Sequence, residues 1–267
     1  MRSESSDLGS LTDDDIVEIC HAGGASTLTS DVCGRKVVVL NDNIVVKFGL
    51  GVTVQEAAAQ RLAFETVDRS IVRVPKVFRF FDRLDMDYWS TGYLVMEYVK
   101  GSNLAEVAWE EETMLPRVAA AIKHINATTN SFPGPVSGGK AQGSLWSEIG
   151  SDTAFHNIEE LEAYMNRRLS VMKESISLTN ERLCLCHLDP TPRNFMIDVD
   201  GHLFLVDWAT AGFYPRYFQL WSIEFTQHVL GDHFTSKLLD YLAATKLELV
   251  MVERLWSLYR YNARCAQ

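Results

Sequence analysis

Asp189, Asn194 and Asp207 carry side-chain oxygens of the kind phosphate chemistry uses, and they follow two apolar runs. Residues 182–186 lead into His187-Leu188-Asp189-Pro190-Thr191-Pro192-Arg193-Asn194, and residues 202–206 lead into Asp207-Trp208. Carboxylate and amide oxygens are the ligands a hard cation such as Mg²⁺ takes. A further carboxylate can orient a hydroxyl for attack, and a lysine can hold phosphate oxygens. Together these are the parts that phosphoryl transfer from ATP needs. Lys47, closing the run Ile44-Val45-Val46-Lys47, is the candidate cation. Taken singly, each residue reads more cheaply as structure: an aspartate beside proline is most often a turn residue, and a strand lysine usually points to solvent. The offsets between them, and the apolar run before the motif, are what favour chemistry.

These residues need elements to position them. Residues 36–40 and 44–48 are β-branched runs flanking Asn41-Asp42-Asn43, which predicts a hairpin that ends near Lys47. Residues 54–66, rich in Ala, Glu, Gln and Leu without Gly or Pro, predict a helix. Residues 74–81 and 92–99 predict two more strands, closing at a turn, Lys100-Gly101-Ser102-Asn103, that could act as a hinge. A short helix is expected over residues 13–20, its acidic start suiting a helix N-terminus. A loop is expected over residues 21–30. Beyond residue 100 the pattern turns helical: residues 113–128, 158–173, 217–230 and 235–261, with a Pro/Gly/Ser loop over 131–143. Gly201 suits the turn of a hairpin made by residues 195–199 and 202–206. Residues 1–12, rich in Ser, Asp and Gly, are expected to be mobile.

Composition sets outer bounds. The 267 residues, 47% hydrophobic and 22% charged, suit a globular chain of one large domain or two lobes. A net charge of -10 argues against a nucleic-acid partner, because an acidic surface repels phosphate backbones. The N-terminus lacks the apolar core of a signal peptide, and no run reaches the ~18 apolar residues of a membrane helix. A cytoplasmic chain without membrane attachment is expected. The five cysteines form no CxxC pair. Cys184 and Cys186, on one face of a predicted strand, read as reduced, partly buried thiols.

The spacing H-x-D-x-x-x-x-N from His187 to Asn194 resembles the catalytic loop of kinases. Further likenesses are Val45-Val46-Lys47-Phe48-Gly49, Val74-Pro75-Lys76-Val77, Leu94-Val95-Met96-Glu97-Tyr98-Val99-Lys100-Gly101 and Asp207-Trp208-Ala209-Thr210-Ala211-Gly212-Phe213-Tyr214-Pro215. Over residues 16 to 225 the chain resembles the aminoglycoside phosphotransferase-like family, most of all its fungal members of unknown substrate. Trp208 after the metal aspartate, and the lack of an Ala-Pro-Glu segment, set it apart from protein kinases.

The resemblance implies an α+β, protein-kinase-like two-lobe fold. A small antiparallel-sheet N-lobe with one helix (residues 13–100) would bind ATP, and a larger, mainly helical C-lobe (residues 101–267) would hold the catalytic loop and substrate site. It implies Asp189 as catalytic base, Asn194 and Asp207 as Mg²⁺ ligands, and Lys47 on the phosphates of ATP. Lys47 would pair with an acid on the following helix, where Glu56 fits better than Glu65. It implies that the backbone of Glu97 and Val99 holds the adenine edge, and that His187 braces the loop. The reaction would be ATP- and Mg²⁺-dependent phosphorylation of a hydroxyl on a small molecule, as in aminoglycoside or choline kinases. The alternative is a non-catalytic, kinase-like nucleotide- or partner-binding protein, suggested by the missing G-x-G-x-x-G. Gly23-Gly24-Ala25-Ser26-Thr27 and Gly34 are the only glycine-loop candidates.

The chain departs from its relatives in carrying Leu188 where Gly is frequent, Pro190 after the aspartate, and Gln219 where Glu is common. Trp146, Trp208, Tyr214 and Trp221 are candidates for lining an acceptor pocket, although core packing explains each as well. The acids Glu110, Glu111, Glu112, Asp152, Glu159, Glu160 and Glu162 would suit an amine-bearing substrate if they faced that pocket. A solvated helix face explains them more cheaply.

Overall fold

The β-branched run that ends in Lys47 becomes the middle of a five-stranded antiparallel sheet. The structure is a computed structural model that describes residues 11–22, 26–30, 34–84, 89–146, 150–230 and 233–265. The sheet comprises β1 (Thr27–Ser30), β2 (Lys36–Asn41), β3 (Ile44–Leu50), β4 (Val77–Leu84) and β5 (Ser90–Glu97), in the order β1-β2-β3-β5-β4. Asn43 N–H donates to Asn41 Oδ1 at 2.9 Å and closes the β2–β3 turn. Helix α1 (Asp13–His21) covers one face of the sheet, with Ile16 and Cys20 packing on Val46, Phe48, Tyr93 and Val95. On the other face Ala57, from helix α2 (Val54–Thr66), packs with Leu94 and Val77. Alternate residues of a strand point to opposite faces, so β3 sends Val46 and Phe48 toward α1 and leaves Lys47 on the side of α2.

The second lobe is helical: α3 (Glu111–Ile125), α4 (Ile158–Leu169), α5 (Arg216–Leu230), α6 (His233–Leu242) and α7 (Lys246–Cys265). Two small sheets are set into it. One orders β11 (Leu203–Leu205), β10 (Phe195–Asp198) and β6 (Gly101–Asn103). The other orders β7 (Thr129–Asn130), β9 (Leu183–Cys186), β12 (Gly212–Pro215) and β8 (Gly134–Pro135). Its core holds Trp146, Trp208, Tyr214, Tyr217 and Phe218, all fully buried. The lobes are laced together by Arg73, whose N–H donates to Leu203 O at 2.8 Å and whose carbonyl accepts from Leu205 N at 2.9 Å. This is the two-lobe, kinase-like α+β arrangement expected from the sequence.

Several elements differ in detail. Residues 27–30, read as loop, form the edge strand β1, because Thr27 and Thr29 find partners on the β-branched face of β2. Gly101, read as part of a hinge turn, lies in β6 against β10. A Cβ there would stand 2.2 Å from Ile197 O, so only glycine permits the approach. Strand β12 had no counterpart in the sequence reading. The single helix expected over 235–261 is two, broken at Ala243, whose φ is 51°. Thr245 starts α7 with a reciprocal cap: its hydroxyl accepts from Glu248 N at 3.2 Å, and its N–H donates to the Glu248 carboxylate at 2.8 Å. The helix from Ile158 stops at Leu169 and ends in a 3₁₀ turn, Ser170–Met172. The mobile segment expected over residues 1–12 lies outside the described residues up to residue 10, and Thr12 caps α1.

Cys184 and Cys186 are buried on one face of β9, their sulfurs 3.7 Å apart and both toward Tyr214 O. Among the described residues, no helix is long and apolar enough to cross a membrane.

Candidate active site

Lys47 and Asp207, 160 positions apart in sequence, meet where the two lobes face each other. Lys47 Nζ donates to Glu56 Oε1 at 2.6 Å and to Asp207 Oδ1 at 2.8 Å. Lys47 is 7% exposed and Glu56 1%, so this ammonium has been taken from water and given two carboxylates instead. Burial alone would push the lysine down, but the charges of Glu56 and Asp207 outweigh it and hold Lys47 above its ordinary range. Burial raises Glu56, with Lys47 opposing. At Asp207 burial would also raise the carboxyl, but Lys47 outweighs it and the net displacement is downward. Glu56 reaches the lysine because Thr53 caps α2, its hydroxyl accepting from Glu56 N at 3.3 Å and fixing the first helical turn on the sheet. Glu65 is exposed near the end of the same helix.

The segment from His187 to Asn194 folds into a braced loop. His187 is buried; its Nε2 lies 3.0 Å from Val206 O, and its Nδ1 accepts from Asp189 N at 3.3 Å. Those partners require a neutral ring protonated on Nε2. Burial agrees, pulling His187 from 6.5 down to about 4. Trp208 packs edge-to-face on the ring at 4.9 Å and donates to Leu205 O at 3.1 Å. His187 is thus the brace expected of it.

Asn194 Nδ2 donates to both Asp189 O and Asp189 Oδ2 at 2.8 Å. With its nitrogen committed to Asp189, the amide oxygen of Asn194 is the atom left to serve a cation. The Asn194 amide oxygen and the half-buried Asp207 carboxylate make an all-oxygen donor set, which suits Mg²⁺ rather than a softer metal. Burial, reinforced by Asp207, raises Asp189 to about 6.

Two backbone positions of the site are strained. Leu188 and Asp207 both have φ of 64°, a left-handed conformation that costs L-residues with a side chain about 1–2 kcal/mol. Leu188 therefore sits in the conformation that glycine takes most cheaply. What holds it there is Gln219 on α5: Gln219 Oε1 accepts from His187 N at 2.7 Å and from Leu188 N at 3.5 Å, and Gln219 Nε2 donates to Ser222 Oγ at 3.1 Å. The sequence had marked Gln219 only as a departure; its role appears in space alone.

A cavity of about 300 Å³ opens beside Asp189 and Asp207. Trp146 and Trp221 line it, whereas Trp208 and Tyr214 do not and pack in the core. Arg35, not foreseen, also lines it and lowers the carboxyls of Glu56 and Asp207 by its charge. None of the seven acids weighed for an amine site is in its wall among the described residues, which leaves the helix-face reading. Glu111 pairs with Lys237, Asp152 with Arg168, Glu160 with His156, and Glu162 accepts from Leu178 N.

Glu97 closes β5, its N–H donating to Lys76 O and its carboxylate accepting from Lys76 N; Val99 is buried just beyond. Of the glycine-loop candidates, residues 23–25 lie outside the described residues. Gly34 has φ of 80° and packs against Gly49.

Comparison with known proteins identifies the family and the fold. Residues 34–249 match the sequence profile described as the phosphotransferase enzyme family. No curated protein matches the chain in sequence. Among solved structures, it is similar to a thermostable mutant of the aminoglycoside phosphotransferase APH(4)-Ia in apo form (TM-score 0.58, 14% identity, covering 94% of this chain and 88% of that one). It is also similar to a ternary complex of such a mutant with AMP-PNP and hygromycin B (TM-score 0.56, 15% identity, 94% and 88% covered). A third is the GDP complex of wild-type aminoglycoside 2'-phosphotransferase-IIIa (TM-score 0.51, 14% identity, 89% and 82% covered). At these identities the likeness is one of fold.

Proposed function

Because this chain belongs to the phosphotransferase enzyme family, we propose that it transfers the γ-phosphoryl group of ATP, with Mg²⁺, to a hydroxyl of a small molecule. The observation that carries the reading is the buried contact of Lys47 with both Glu56 and Asp207. A lysine held charged by an acid from α2, and placed against an acid from the other lobe, is arranged to grip phosphate oxygens next to a metal ligand.

The nucleotide would lie between residues 13–100 and residues 101–267, its adenine edge on the Glu97 carbonyl and the Val99 N–H, its phosphates on Lys47. Asn194, through its amide oxygen, and Asp207 would hold Mg²⁺, which when bound supplies positive charge on the phosphate oxygens. Asp189 would accept a hydrogen bond from the acceptor hydroxyl and align its oxygen. The new O–P bond forms as the bond to the β–γ bridging oxygen breaks. ADP leaves with that electron pair, and the hydroxyl proton passes to Asp189. A supply of ATP points to the cytoplasm as the working place.

The test is a thermal-shift titration of the full chain with ATP and Mg²⁺, followed by mass spectrometry of a metabolite extract incubated with both. Stabilisation by the nucleotide with metal, abolished in Asp207→Ala, and a new phosphorylated metabolite are expected. Absence of any shift with ATP and Mg²⁺ on the folded protein would sink the reading.

A further inference from the structure

The cavity beside Asp189 is a statement about the acceptor. One face of α5 supplies one side of it: Phe218, Trp221, Ser222, Phe225 and Thr226, at helical intervals. The two hydroxyls on that face are turned back into their own helix. Ser222 Oγ donates to Gln219 O at 2.8 Å, and Thr226 Oγ1 to Ser222 O at 3.0 Å. Their carbon surfaces are what remains for a ligand. Across from them stand Leu145, Trp146 and Leu188.

The charges in the wall are few. Among the described residues they are Asp189, Asp207 and Arg35. Asp207 already has Lys47, and the Asp189 carboxylate is held by Asn194. Among the described residues, no carboxylate in the wall stands apart from the reacting groups to receive an ammonium. A cationic acceptor would find only carboxylates that the reacting groups already use.

Aromatic faces could substitute for carboxylates, since they attract quaternary amines, but the faces here are already used. Trp221 is stacked on Phe225 at 5.0 Å and Phe218 on Tyr214 at 5.1 Å. Trp146 and Phe218 are 0% exposed and Trp221 3%. A cage needs several open faces, and only Phe225 among these four is more than marginally accessible. The volume, about 300 Å³, is at the small end of ligand pockets.

We propose that the acceptor is an uncharged alcohol of about one ring in size with a hydrocarbon face, and that polycationic aminoglycosides and quaternary amino-alcohols are excluded. This rests on the phosphotransfer reading for what happens to the ligand, but not for which ligand enters.

The experiment uses pairs alike in shape and different in charge: 3,3-dimethylbutan-1-ol against choline, and cyclohexanediols against aminocyclohexanols, with kanamycin and hygromycin B as polycations. Binding to the full chain with Mg²⁺ and a non-hydrolysable ATP analogue is followed by ligand-observed NMR, and phosphorylation by ADP release with ATP. The uncharged member is expected to bind at least tenfold more tightly in each pair, and any turnover to follow that order. In Thr226→Asp, which puts a carboxylate into the wall, the preference is expected to move toward the amines. Tighter binding of the charged members to the wild-type protein, or no binding by either member of any pair, overturns the inference. Preference for the uncharged members without ADP release from any of them would leave the acceptor class standing and count against phosphotransfer. The wild-type comparison decides the matter even if Thr226→Asp fails to fold.

Discussion

The phosphate end of the site and the acceptor end are built on opposite principles. Around Lys47 the side chains are charged, buried and paired across the lobes, with each group held by another group's charge. Around Trp221 and Thr226 the wall is carbon, its hydroxyls spent on their own helix. A transferred phosphoryl group carries the same charge whatever receives it, so the first region needs fixed charges at fixed distances. The second need only match a shape. Mutation should therefore be expensive at one end and cheap at the other.

Lys47→Met should show the largest effect. It leaves Glu56 buried without its cation, and breaking one partner of a buried pair costs about 3–5 kcal/mol. Urea unfolding should register that loss, and the nucleotide-dependent thermal shift should vanish with it. Thr226→Val, across the site, removes a hydroxyl bonded only to its own helix and should cost about 1 kcal/mol or less. Equal losses in the two variants would erase the contrast.

Gln219→Leu probes the seam between the two regions. The buried N–H of His187 would lose its acceptor, worth about 2 kcal/mol. The nucleotide affinity should hold while kcat falls about tenfold, because the loop that carries Asp189 loosens and Lys47 does not. A rise in the nucleotide Kd with kcat intact would assign Gln219 to general packing instead.

How much of this was legible in the sequence follows from the range of each interaction. Lys47 and Glu56 belong to adjacent elements, and the family resemblance pointed to their pairing, with Glu56 ahead of Glu65. Asp189, Asn194 and Asp207 lie within two short segments whose hairpin was readable from Gly201. The acceptor wall was not legible, although its residues recur at helical spacing on α5, because the same spacing describes any buried helix face. Trp208 and Tyr214 looked as eligible as Trp146 and Trp221, and only packing separates them. The acids between residues 110 and 162 were weighed as a possible substrate site and explained more cheaply as solvated helix faces. Their partners, Lys237, Arg168, His156 and the backbone of Leu178, sit too far along the chain or too generically for spacing to reveal. Strand β12 was missed because Gly212 and Pro215 argue locally against a strand that β9 then recruits.

His187 gives a smaller, pH-dependent effect. Its folded value near 4 lies below the 6.5 of the free side chain, so the unfolded chain binds a proton that the folded one refuses. Stability from this group is complete above pH 6.5 and is lost as the pH falls toward 4. Between pH 7 and pH 5.5 the advantage of wild type over His187→Gln in urea unfolding should shrink by about 1 kcal/mol. Asp189 titrates nearby with the opposite sign, its value raised to about 6, but it is present in both proteins and its own effect largely cancels in the difference. A gap that does not change with pH would mean the ring is not held neutral.

The smallest effect separates strain from packing within the same loop. Leu185 and Leu188 are three residues apart, both leucines touching the large core. Leu185 is fully buried in extended backbone in β9, and Leu185→Ala should cost about 2–5 kcal/mol. Leu188 is half-buried at φ of 64°. Leu188→Gly gives up comparable chemistry but also removes about 1–2 kcal/mol of left-handed strain, so the two changes should nearly cancel and stability should move by less than about 1 kcal/mol. Activity is the sharper reading. Leu188 lines the acceptor cavity, so the glycine variant should keep its nucleotide affinity while its KM for an uncharged acceptor rises. A loss of stability as large as that of Leu185→Ala would show that the loop carries no strain for glycine to relieve. The leucine found where relatives often have glycine would then be ordinary core, and not a wall of the acceptor site held at a conformational cost.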